Sequence, residues 1–307
     1  MFLDEDVAVR ISSGTLFCLG SGAAFGSMAI FGKLSYDEGA NVATLLTVRF
    51  VIGAALFWAL VFLRGLTPSV PHLSRRDVAI GLALGAAGYS AQAGLYFAAL
   101  ERIDASILSL LLYTFPAMVT VAAIALGRER VSARRLTALA LTSGGLVLVL
   151  AGAAAGAFDP LGAAMALGAA VVYTIYILTS ESAAGRISPY LLSALVCTGA
   201  AVTLTLGSAA LGQLRPQDIT AEGWLWMAGI GIVSTVTAIG LFFAGLRRVG
   251  PSTAAILATV EPVVTVFLAF LVFGETLAAI QITGAVLVLT SVLVLRARAR
   301  EPALATT

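Results

Sequence analysis

The chain has 307 residues, of which 60% are hydrophobic and 11% are charged, and its formal net charge at pH 7 is +2. A composition this apolar excludes a soluble globular domain, and a net charge this small gives no sign of nucleic-acid binding. The sequence predicts an all-α, polytopic integral membrane protein. The short alternating segments of a membrane β-barrel are missing, and backbone groups in hydrocarbon must bond internally.

Ten apolar segments of about 20 residues follow one another along the chain, and each is long enough to cross a bilayer as a helix. They are predicted at 13–34, 41–63, 77–100, 104–126, 132–152, 160–180, 190–212, 222–246, 250–273 and 276–296. The N-terminal sequence MFLDEDVAVR is acidic, unlike a secretory signal, so the first segment is expected to remain as a membrane span.

Lysine and arginine residues fall mostly on one side of this predicted topology. Lys33, Arg102 and Arg215 fall on the other side, and Arg49 lies inside the second span. By the positive-inside rule, both termini are therefore predicted to be cytoplasmic. Lys33 is expected to anchor the outer end of the first span at the membrane interface.

The sequence repeats itself with an offset of 146 residues. GLYFAALERIDAS (94–106) aligns with GLFFAGLRRVGPS (240–252), and the same offset pairs Pro116 with Pro262 and Glu129 with Glu275. The two copies are assigned to residues 1–152 and 153–307. Each would hold five spans, and because five is an odd number, equivalent spans cross the membrane in opposite directions. The predicted fold is a 5+5 inverted repeat, which is typical of secondary transporters that work by alternating access.

The ninth predicted span carries Glu261 and Pro262 side by side near the bilayer centre, and Pro116 lies at a similar depth in the fourth. A proline leaves a backbone carbonyl without its helical partner, and neither that carbonyl nor a carboxylate is stable against lipid. We therefore expect both prolines to act as hinges of a gate and Glu261 to face a wet cavity. The alternatives are packing kinks at the prolines and a structural hydrogen bond between the Glu261 side chain and nearby backbone.

Further polar residues lie on single faces of other predicted spans. Those faces hold Tyr89, Gln92 and Tyr96 in the third span, Ser106, Ser109 and Tyr113 in the fourth, Tyr173, Tyr176 and Ser180 in the sixth, and Ser234, Thr235 and Thr237 in the eighth. Around one cavity they would provide aromatic walls and a few polar groups for a small amphiphilic or zwitterionic solute. The alternatives are hydroxyls bonded to their own helices and tyrosines at the membrane interface.

Arg49 lies about a third of the way into the second span, counted from the outer face. It is a candidate partner for a substrate carboxylate. The sequence favours a different placement, in which the side chain snorkels to the outer interface or pairs with Asp37 or Glu38.

Two local patterns predict close contacts between helices or at their ends. Glu129 and Glu275 each precede the next predicted helix, where a carboxylate is expected to cap the helix N-terminus. The stretch GSGAAFG (20–26) lacks the spacing of a nucleotide-binding loop, but Gly22 and Gly26 form a GxxxG pattern. This pattern predicts a face on which another helix packs closely.

Enzymatic function is the rival class. GYS (88–90) resembles the nucleophile motif of intramembrane serine proteases, but the single histidine, His72, lies in a polar loop and cannot act as its base. The sequence contains no HExxH motif and no pattern of metal ligands. We therefore predict no catalytic residues, no cofactor and no metal site, and we do not expect an enzyme.

Several of these features resemble the EamA-type branch of the drug/metabolite transporter superfamily. They are the five-plus-five arrangement, Arg49–Phe50 in the second span, the proline-centred fourth and ninth spans, VEPVVTVFLAFLVFGE (260–275), and Gln281 with Gly284 near the end. Within this branch the sequence is most similar to YddG-type exporters of aromatic and other neutral amino acids. The first copy departs from the pattern, since Phe115 stands where the second copy has Glu261.

The resemblance implies a monomeric protein of the inner membrane that exports a small-molecule substrate, an amino acid or related metabolite, without a cofactor. The side chains expected to contact the substrate are Tyr89, Gln92, Tyr113, Tyr173, Tyr176 and Glu261. The alternative is an exporter of drugs or quaternary cations, in which the tyrosines form a cation-π cage and Glu261 exchanges a proton.

Overall fold

The computed structural model describes residues 13–66, 73–127, 130–154, 159–184 and 186–296. In these ranges the chain forms α-helices, two π-helical segments and one 3₁₀ turn, and no β-strand. The α-helices are α1 Ser13–Gly26, α2 Met28–Asp37, α3 Val42–Leu63, α4 Arg75–Ala83, α5 Ser90–Leu100, α6 Ala105–Leu112, α7 Phe115–Ala125, α8 Ala133–Ala154, α9 Pro160–Ala184, α10 Pro189–Ala210, α11 Ala221–Gly231, α12 Ala238–Leu257, α13 Val260–Phe273 and α14 Ala279–Arg296. The prediction of an all-helical protein is confirmed for the described ranges.

Eight helical stretches of the described chain are long and apolar enough to cross a membrane. They are Ser13–Asp37, Val42–Leu63, Arg75–Leu100, Ala105–Ala125, Ala133–Gly152, Pro160–Ser180, Pro189–Ala210 and Ala221–Val249. Two shorter apolar helices, Val260–Phe273 and Ala279–Val294, follow them. The protein is therefore a multi-pass membrane protein.

Short-range signals set where several of these helices begin and end. Asn41 precedes α3 and its side-chain oxygen accepts a hydrogen bond from the Thr44 amide at 2.9 Å. Thr220 precedes α11 and accepts one from the Gly223 amide at 3.1 Å. These contacts satisfy amides that have no partner inside the helix. Gly274 ends α13 in the left-handed conformation, with φ of 66°, which other residues adopt only with strain.

Three of these stretches are interrupted, and a fourth interruption follows the eighth stretch. Residues Leu84–Tyr89 and Ile232–Thr237 form π-helical segments. The fourth stretch breaks at residues 113–114, between α6 and α7, and α12 and α13 are separated at residues 258–259. The positions 113 and 259 differ by the 146-residue offset of the sequence repeat. The interruptions therefore occur at corresponding places in the two copies.

The chain passes α1 twice between residues 238 and 260. A Cβ on Gly14 of α1 would lie 2.7 Å from the Cβ of Arg248. About two turns further along α1, Ser21 donates a hydrogen bond to the Ala238 carbonyl at 2.8 Å. At the next residue, a Cβ on Gly22 would lie 2.4 Å from a methyl group of Val260. The chain therefore passes α1 once towards residue 248 and again, in the opposite direction, towards residue 260.

The predicted GxxxG face of α1 is used in this second contact. A Cβ on Gly26 would lie 2.8 Å from the carbonyl oxygen of Glu261, and the Thr265 hydroxyl donates to the Gly26 carbonyl at 3.0 Å. Only glycine permits so close an approach between two backbones. The small residues of α1 therefore place it directly beside Glu261.

A close contact between the two copies joins α8 to α14. A Cβ on Gly145 would lie 2.6 Å from the Gly284 carbonyl oxygen, and a Cβ on Gly284 would lie 2.6 Å from the Gly145 carbonyl oxygen. A side chain on either residue must push the two helices apart. Pairs of small residues of this kind are common where membrane helices associate, because lipid provides no hydrophobic driving force between helices.

This contact predicts a sharp difference between two neighbouring glycines. Gly145→Val should destabilise the protein by roughly 1–3 kcal/mol, because its side chain would overlap the facing backbone. Gly144→Val is the control, since a Cβ on Gly144 meets nothing within 4 Å. Thermal unfolding in detergent should show a lower midpoint for the first variant only. Equal shifts for both would contradict the described contact.

Candidate functional site

The interrupted helices surround a cavity of about 340 Å³. Its lining comes from both copies of the repeat: Ser21, Gly22, Phe25, Met28, Arg49, Tyr89, Gln92, Tyr96, Leu112, Tyr113, Phe115, Pro116, Tyr173, Ile177, Phe242, Ala258, Thr259, Glu261 and Val292. Both mid-span breaks, at residues 113–114 and 258–259, contribute to this wall. The size and the aromatic lining are those of a pocket for a small organic solute.

Most of the site residues predicted from the sequence line this cavity. They are Tyr89, Gln92, Tyr113, Tyr173, Glu261, Pro116 and Arg49. Tyr176 lies behind this lining, with its ring 5.6 Å from that of Tyr89 and 6.1 Å from that of Tyr173. Pro262 is buried beside Glu261 and does not line the cavity. The side-chain pattern of the spans therefore predicted residues that line one cavity.

Pro262 determines the surroundings of Glu261. Because proline has no N–H, it cannot bond the carbonyl of Ala258 one turn earlier. That carbonyl instead accepts from the Glu261 amide at 3.1 Å and from the Tyr113 hydroxyl at 2.9 Å. Tyr113, at the end of α6, thus bonds the backbone group that the proline of α13 leaves without its helical partner.

The Tyr113 hydroxyl also contacts the carboxylate of Glu261, at 2.9 Å from Oε2. A phenol has one proton, so it cannot donate fully to the Ala258 carbonyl and to an ionised carboxylate together. When Glu261 is protonated, its own hydroxyl can donate to Tyr113 while Tyr113 donates to Ala258. The site can therefore hold Glu261 in either form, and the hydrogen bonding is more complete in the protonated form.

Arg49 is buried, with 2% of its surface exposed, and it points into the cavity. Its Nε donates to the Thr235 hydroxyl at 3.1 Å and its Nη2 to the Tyr89 hydroxyl at 3.2 Å. Thr235 lies in the second π-helical segment, and its own proton is donated to the Ile230 carbonyl. The hydroxyl oxygen of Thr235 is therefore oriented to accept from the guanidinium.

This placement contradicts the expectation that Arg49 snorkels to the interface or pairs with Asp37 or Glu38. The guanidinium carbon lies 5.0 Å from the ring centre of Phe50 and 5.6 Å from those of Tyr89 and Phe97. These cation-π contacts and two hydrogen bonds hold the charge inside the bundle. Across the described ranges, no carboxylate oxygen lies within the 4.0 Å limit of an ion pair with Arg49.

A continuous row of aromatic rings connects the two charged residues of the cavity. The successive ring-centre distances are 5.6 Å for Tyr89–Tyr176, 6.1 Å for Tyr176–Tyr173, 4.7 Å for Tyr173–Phe115 and 5.8 Å for Phe115–Tyr113. Arg49 bonds to the first tyrosine of the row and Glu261 to the last. The cavity therefore contains one cationic and one acidic side chain, and a row of aromatic rings connects them.

Some sequence predictions about this site were wrong or incomplete. Ser180 bonds to the Ile177 carbonyl, and Ser234 bonds to Ser27, so neither hydroxyl faces the cavity. In contrast, Phe25, Met28 and Phe242 line it without having been predicted. Apolar residues that face a cavity carry no signal in a chain whose lipid-facing residues are equally apolar.

A second polar cluster lies at the end of the bundle beyond the cavity. Glu275 follows α13, and its side chain is 6% exposed. It forms an ion pair with Lys33 of α2 at 2.7 Å. It also accepts from the Ala105 and Ser106 amides, each at 3.0 Å, and from the Ser106 hydroxyl at 2.8 Å. We call Lys33, Ser106 and Glu275 the outer cluster.

The outer cluster corrects the predicted role of Glu275. This residue caps α6, which is distant in sequence, and not the helix that follows it. The first amide before α14, that of Ala278, bonds instead to the Gln281 side chain at 2.8 Å. Because Gln281 reaches back to this amide, Glu275 is available for the N-terminus of α6. Glu129, the other predicted cap, lies outside the described residues.

Removing the charge of Glu275 should weaken the contact between α2, α6 and α13. Burial raises the pKa of the Glu275 carboxyl, but the Lys33 charge and the hydrogen bonds from Lys33 and Ser106 outweigh it, so the net pKa is lowered. We expect Glu275→Gln to lower stability by roughly 1.5–3 kcal/mol near neutral pH, measured as the thermal unfolding midpoint in detergent. Asp104→Asn is the control, because Asp104 contacts the same lysine at 3.6 Å and its side chain is 54% exposed.

The pH dependence follows from the sign of this shift. A lowered pKa in the folded protein stabilises it above the ordinary pKa, and this contribution is lost as pH falls through the lowered pKa. The difference between wild type and Glu275→Gln should therefore narrow on acidification. A difference that stays constant down to the lowest pH tested would contradict a charged Glu275 in the outer cluster.

A helical membrane protein whose broken spans enclose a polar and aromatic cavity has the architecture of a solute transporter. The comparison with known families agrees with this class. The EamA-like transporter family matches residues 12–151 and 160–297, so this chain belongs to that family, within the drug/metabolite transporter superfamily.

Individual relatives are also transporters. The chain is 29% identical over 291 residues to the uncharacterized transporter YcbK of Bacillus subtilis, covering 92% of this chain and 93% of that protein. It is 32% identical over 199 residues to an uncharacterized transporter of Archaeoglobus fulgidus, covering 65% of this chain and 70% of that one. A solved crystal structure shares the fold with a TM-score of 0.65 at 22% identity, covering 92% of this chain and 96% of that chain.

Proposed function

We propose that this transporter exports zwitterionic solutes, namely aromatic and other neutral amino acids, across the inner membrane. The observation that carries this proposal is a cavity lined by Arg49, Glu261 and several aromatic rings. The α-carboxylate of the solute binds Arg49, with Gln92 as a further polar contact. The ammonium group binds Glu261, and the solute side chain packs on the tyrosines. No chemical conversion of the solute is involved.

The energetics of buried charge support this reading. A guanidinium loses hydration free energy when it is buried, and hydrogen bonds to neutral partners recover only part of that free energy. A solute that brings a carboxylate to Arg49 and an ammonium to Glu261 compensates both side chains at once, and its own charges are compensated in return. A solute with one charge leaves the other charged side chain without a partner. The cavity should therefore discriminate between zwitterions and singly charged analogues.

Alternating access is the transport mechanism that we infer, in a monomer of ten spans arranged as a 5+5 inverted repeat. The copies are residues 1–152 and 153–307, and both termini are cytoplasmic. The repeat is supported by the helix interruptions at corresponding positions and by the family match to two successive stretches. Pro116 and Pro262 act as hinges beside these interruptions, and opening towards the outside separates the members of the outer cluster.

A second candidate function is the export of drugs or quaternary cations in exchange for protons. The specific observation in its favour is the Tyr113 hydroxyl, which has one proton and two acceptors, Ala258 and Glu261. Protonation of Glu261 would complete this hydrogen-bond chain. Binding of a cation would favour the ionised carboxylate and therefore release of the proton. In this case the cation would lie against the tyrosine rings and Arg49 would not contact it.

Transport by purified protein in lipid vesicles tests the zwitterion proposal. We expect the protein to move phenylalanine, but not phenylethylamine, which lacks the carboxylate, or 3-phenylpropionate, which lacks the ammonium group. Faster movement of phenylethylamine than of phenylalanine would favour the second candidate. No acceleration of any neutral amino acid over empty vesicles would overturn the first.

Arg49→Gln should raise the apparent KM for phenylalanine roughly 10- to 100-fold, because a charge-assisted hydrogen bond to the carboxylate contributes about 1.5–3 kcal/mol. Arg215→Gln is the control, since Arg215 is an exposed arginine outside the cavity. Unfolding midpoints of both variants verify that the fold is retained. Unchanged transport by a folded Arg49→Gln variant would exclude Arg49 from the binding site.

Glu261→Gln separates the two candidates when a pH gradient is applied. If Glu261 only binds the ammonium group, the variant should lose affinity equally with and without the gradient. If Glu261 exchanges a proton, wild-type transport should accelerate with the gradient, and the variant should lose this acceleration. Glu222→Gln, at an exposed residue of α11, is the matched control.

A further inference from the structure

A second concave region of the described structure is separate from the solute cavity. It is a groove of about 790 Å³ between α1, α3, α10, α12 and the second π-helical segment. None of the residues lining it belongs to the solute cavity. The groove lies at the end of the bundle where α3 ends and α10 begins, which is opposite to the outer cluster.

Among the described residues that line this groove, the charged ones are all arginines. Arg64 comes directly after α3, and Arg247 and Arg248 lie in α12. No carboxylate belongs to the lining, and within the described ranges no ion pair involves any of the three arginines. The groove therefore carries a concentrated positive charge that its own walls do not neutralise.

Aromatic rings hold two of these guanidinium groups at the groove. The guanidinium carbon of Arg64 lies 4.4 Å from the ring centre of Tyr190, and that of Arg248 lies 4.7 Å from the ring centre of Phe17. Arg248 also donates to the Ala244 carbonyl at 2.8 Å. A guanidinium has five N–H donors, so most of these donors stay available to an anion. Stacking on a ring fixes the group in advance and reduces the entropy lost on binding.

The floor of the groove is apolar and continues into the lipid-facing surface. Leu60, Leu241 and Gly240 contribute to the floor. Beside the groove, Phe62 is 73% exposed and Leu63 is 75% exposed, as is normal for side chains that face acyl chains. An anion held by the arginines would therefore lie next to a surface that already contacts hydrocarbon.

We propose that this groove binds an anionic phospholipid. The phosphodiester group is held by Arg64, Arg247 and Arg248, and one acyl chain lies on the apolar floor. Three arginines next to an apolar floor favour this ligand class. A soluble anion would not contact the floor, and a zwitterionic lipid has no net charge to neutralise the arginines. By the predicted topology the groove opens to the cytoplasmic leaflet, where anionic lipids attract basic residues.

The site is independent of the solute cavity, and it can be tested without a transport assay. Native mass spectrometry of the purified protein would count bound lipids after addition of phosphatidylglycerol, phosphatidylcholine with the same acyl chains, or inorganic phosphate. Wild type should retain one tightly bound phosphatidylglycerol. The double variant Arg247→Gln/Arg248→Gln should bind phosphatidylglycerol at least about tenfold more weakly. Each arginine near an anionic headgroup strengthens lipid binding by roughly fivefold, so the loss of two exceeds tenfold.

A second pair of adjacent arginines provides the matched control. Arg75 and Arg76 are exposed and lie at the same end of the bundle, at the start of α4, outside the groove. Arg75→Gln/Arg76→Gln makes the same change in charge and should leave the bound phosphatidylglycerol in place. Equal loss in both double variants would overturn the proposal, because it would indicate general attraction to positive charge.

A second variant tests the apolar floor without touching the arginines. A Cβ on Gly240 meets nothing within 4 Å, so Gly240→Phe should fill the groove without disturbing the fold, and unfolding midpoints would verify this. The variant should lose the bound phosphatidylglycerol. Retention of the lipid by folded Gly240→Phe, equal binding of phosphatidylcholine, or displacement by inorganic phosphate would each overturn an anionic phospholipid as the occupant.

Discussion

The hydrogen bond between Tyr113 and the Ala258 carbonyl is the interaction on which the candidate site depends. In the membrane interior, a carbonyl that lacks its helical partner is unfavourable, and Pro262, near the start of α13, removes the N–H that would bond the Ala258 carbonyl. The Glu261 amide and the Tyr113 hydroxyl donate to that carbonyl in its place. Tyr113 belongs to the broken region of the fourth span, and the two interruptions therefore lie together at the cavity.

The same requirement explains the arrangement of charge. Glu261 contacts the tyrosine that satisfies the break, and Arg49 contacts a threonine and a tyrosine on two segments with π-helical geometry. Each charged group is thus held by hydroxyls and aromatic rings, and neither is neutralised by the other. A ligand of matching charge would lower the energy of such a site, which is the physical basis of the proposed zwitterionic substrate.

The charged residues at the two ends of the bundle have different kinds of partner. At one end of the bundle, Glu275 satisfies both the N-terminus of α6 and the charge of Lys33, so three helices are held together. At the other end, Arg64 and Arg248 lie against rings, and none of the three groove arginines forms an ion pair within the described ranges. The first pattern is closed within the protein, whereas the second is left open to a ligand from the surroundings.

The class of fold, the helical segments and much of the cavity wall could be predicted from the amino-acid sequence. The signals were strong: apolar runs, the 146-residue repeat, adjacent Glu261 and Pro262, and tyrosines spaced along single helix faces. That Arg49 points inward and that Glu275 caps α6 became apparent only from the folded arrangement. The partners of these two residues, Thr235 and Ser106, are distant in sequence, and the burial of a charge depends on which partners folding brings to it. The contributions of Phe25, Met28 and Phe242 became apparent in the same way, because an apolar side chain looks alike in sequence whether it faces lipid or solute.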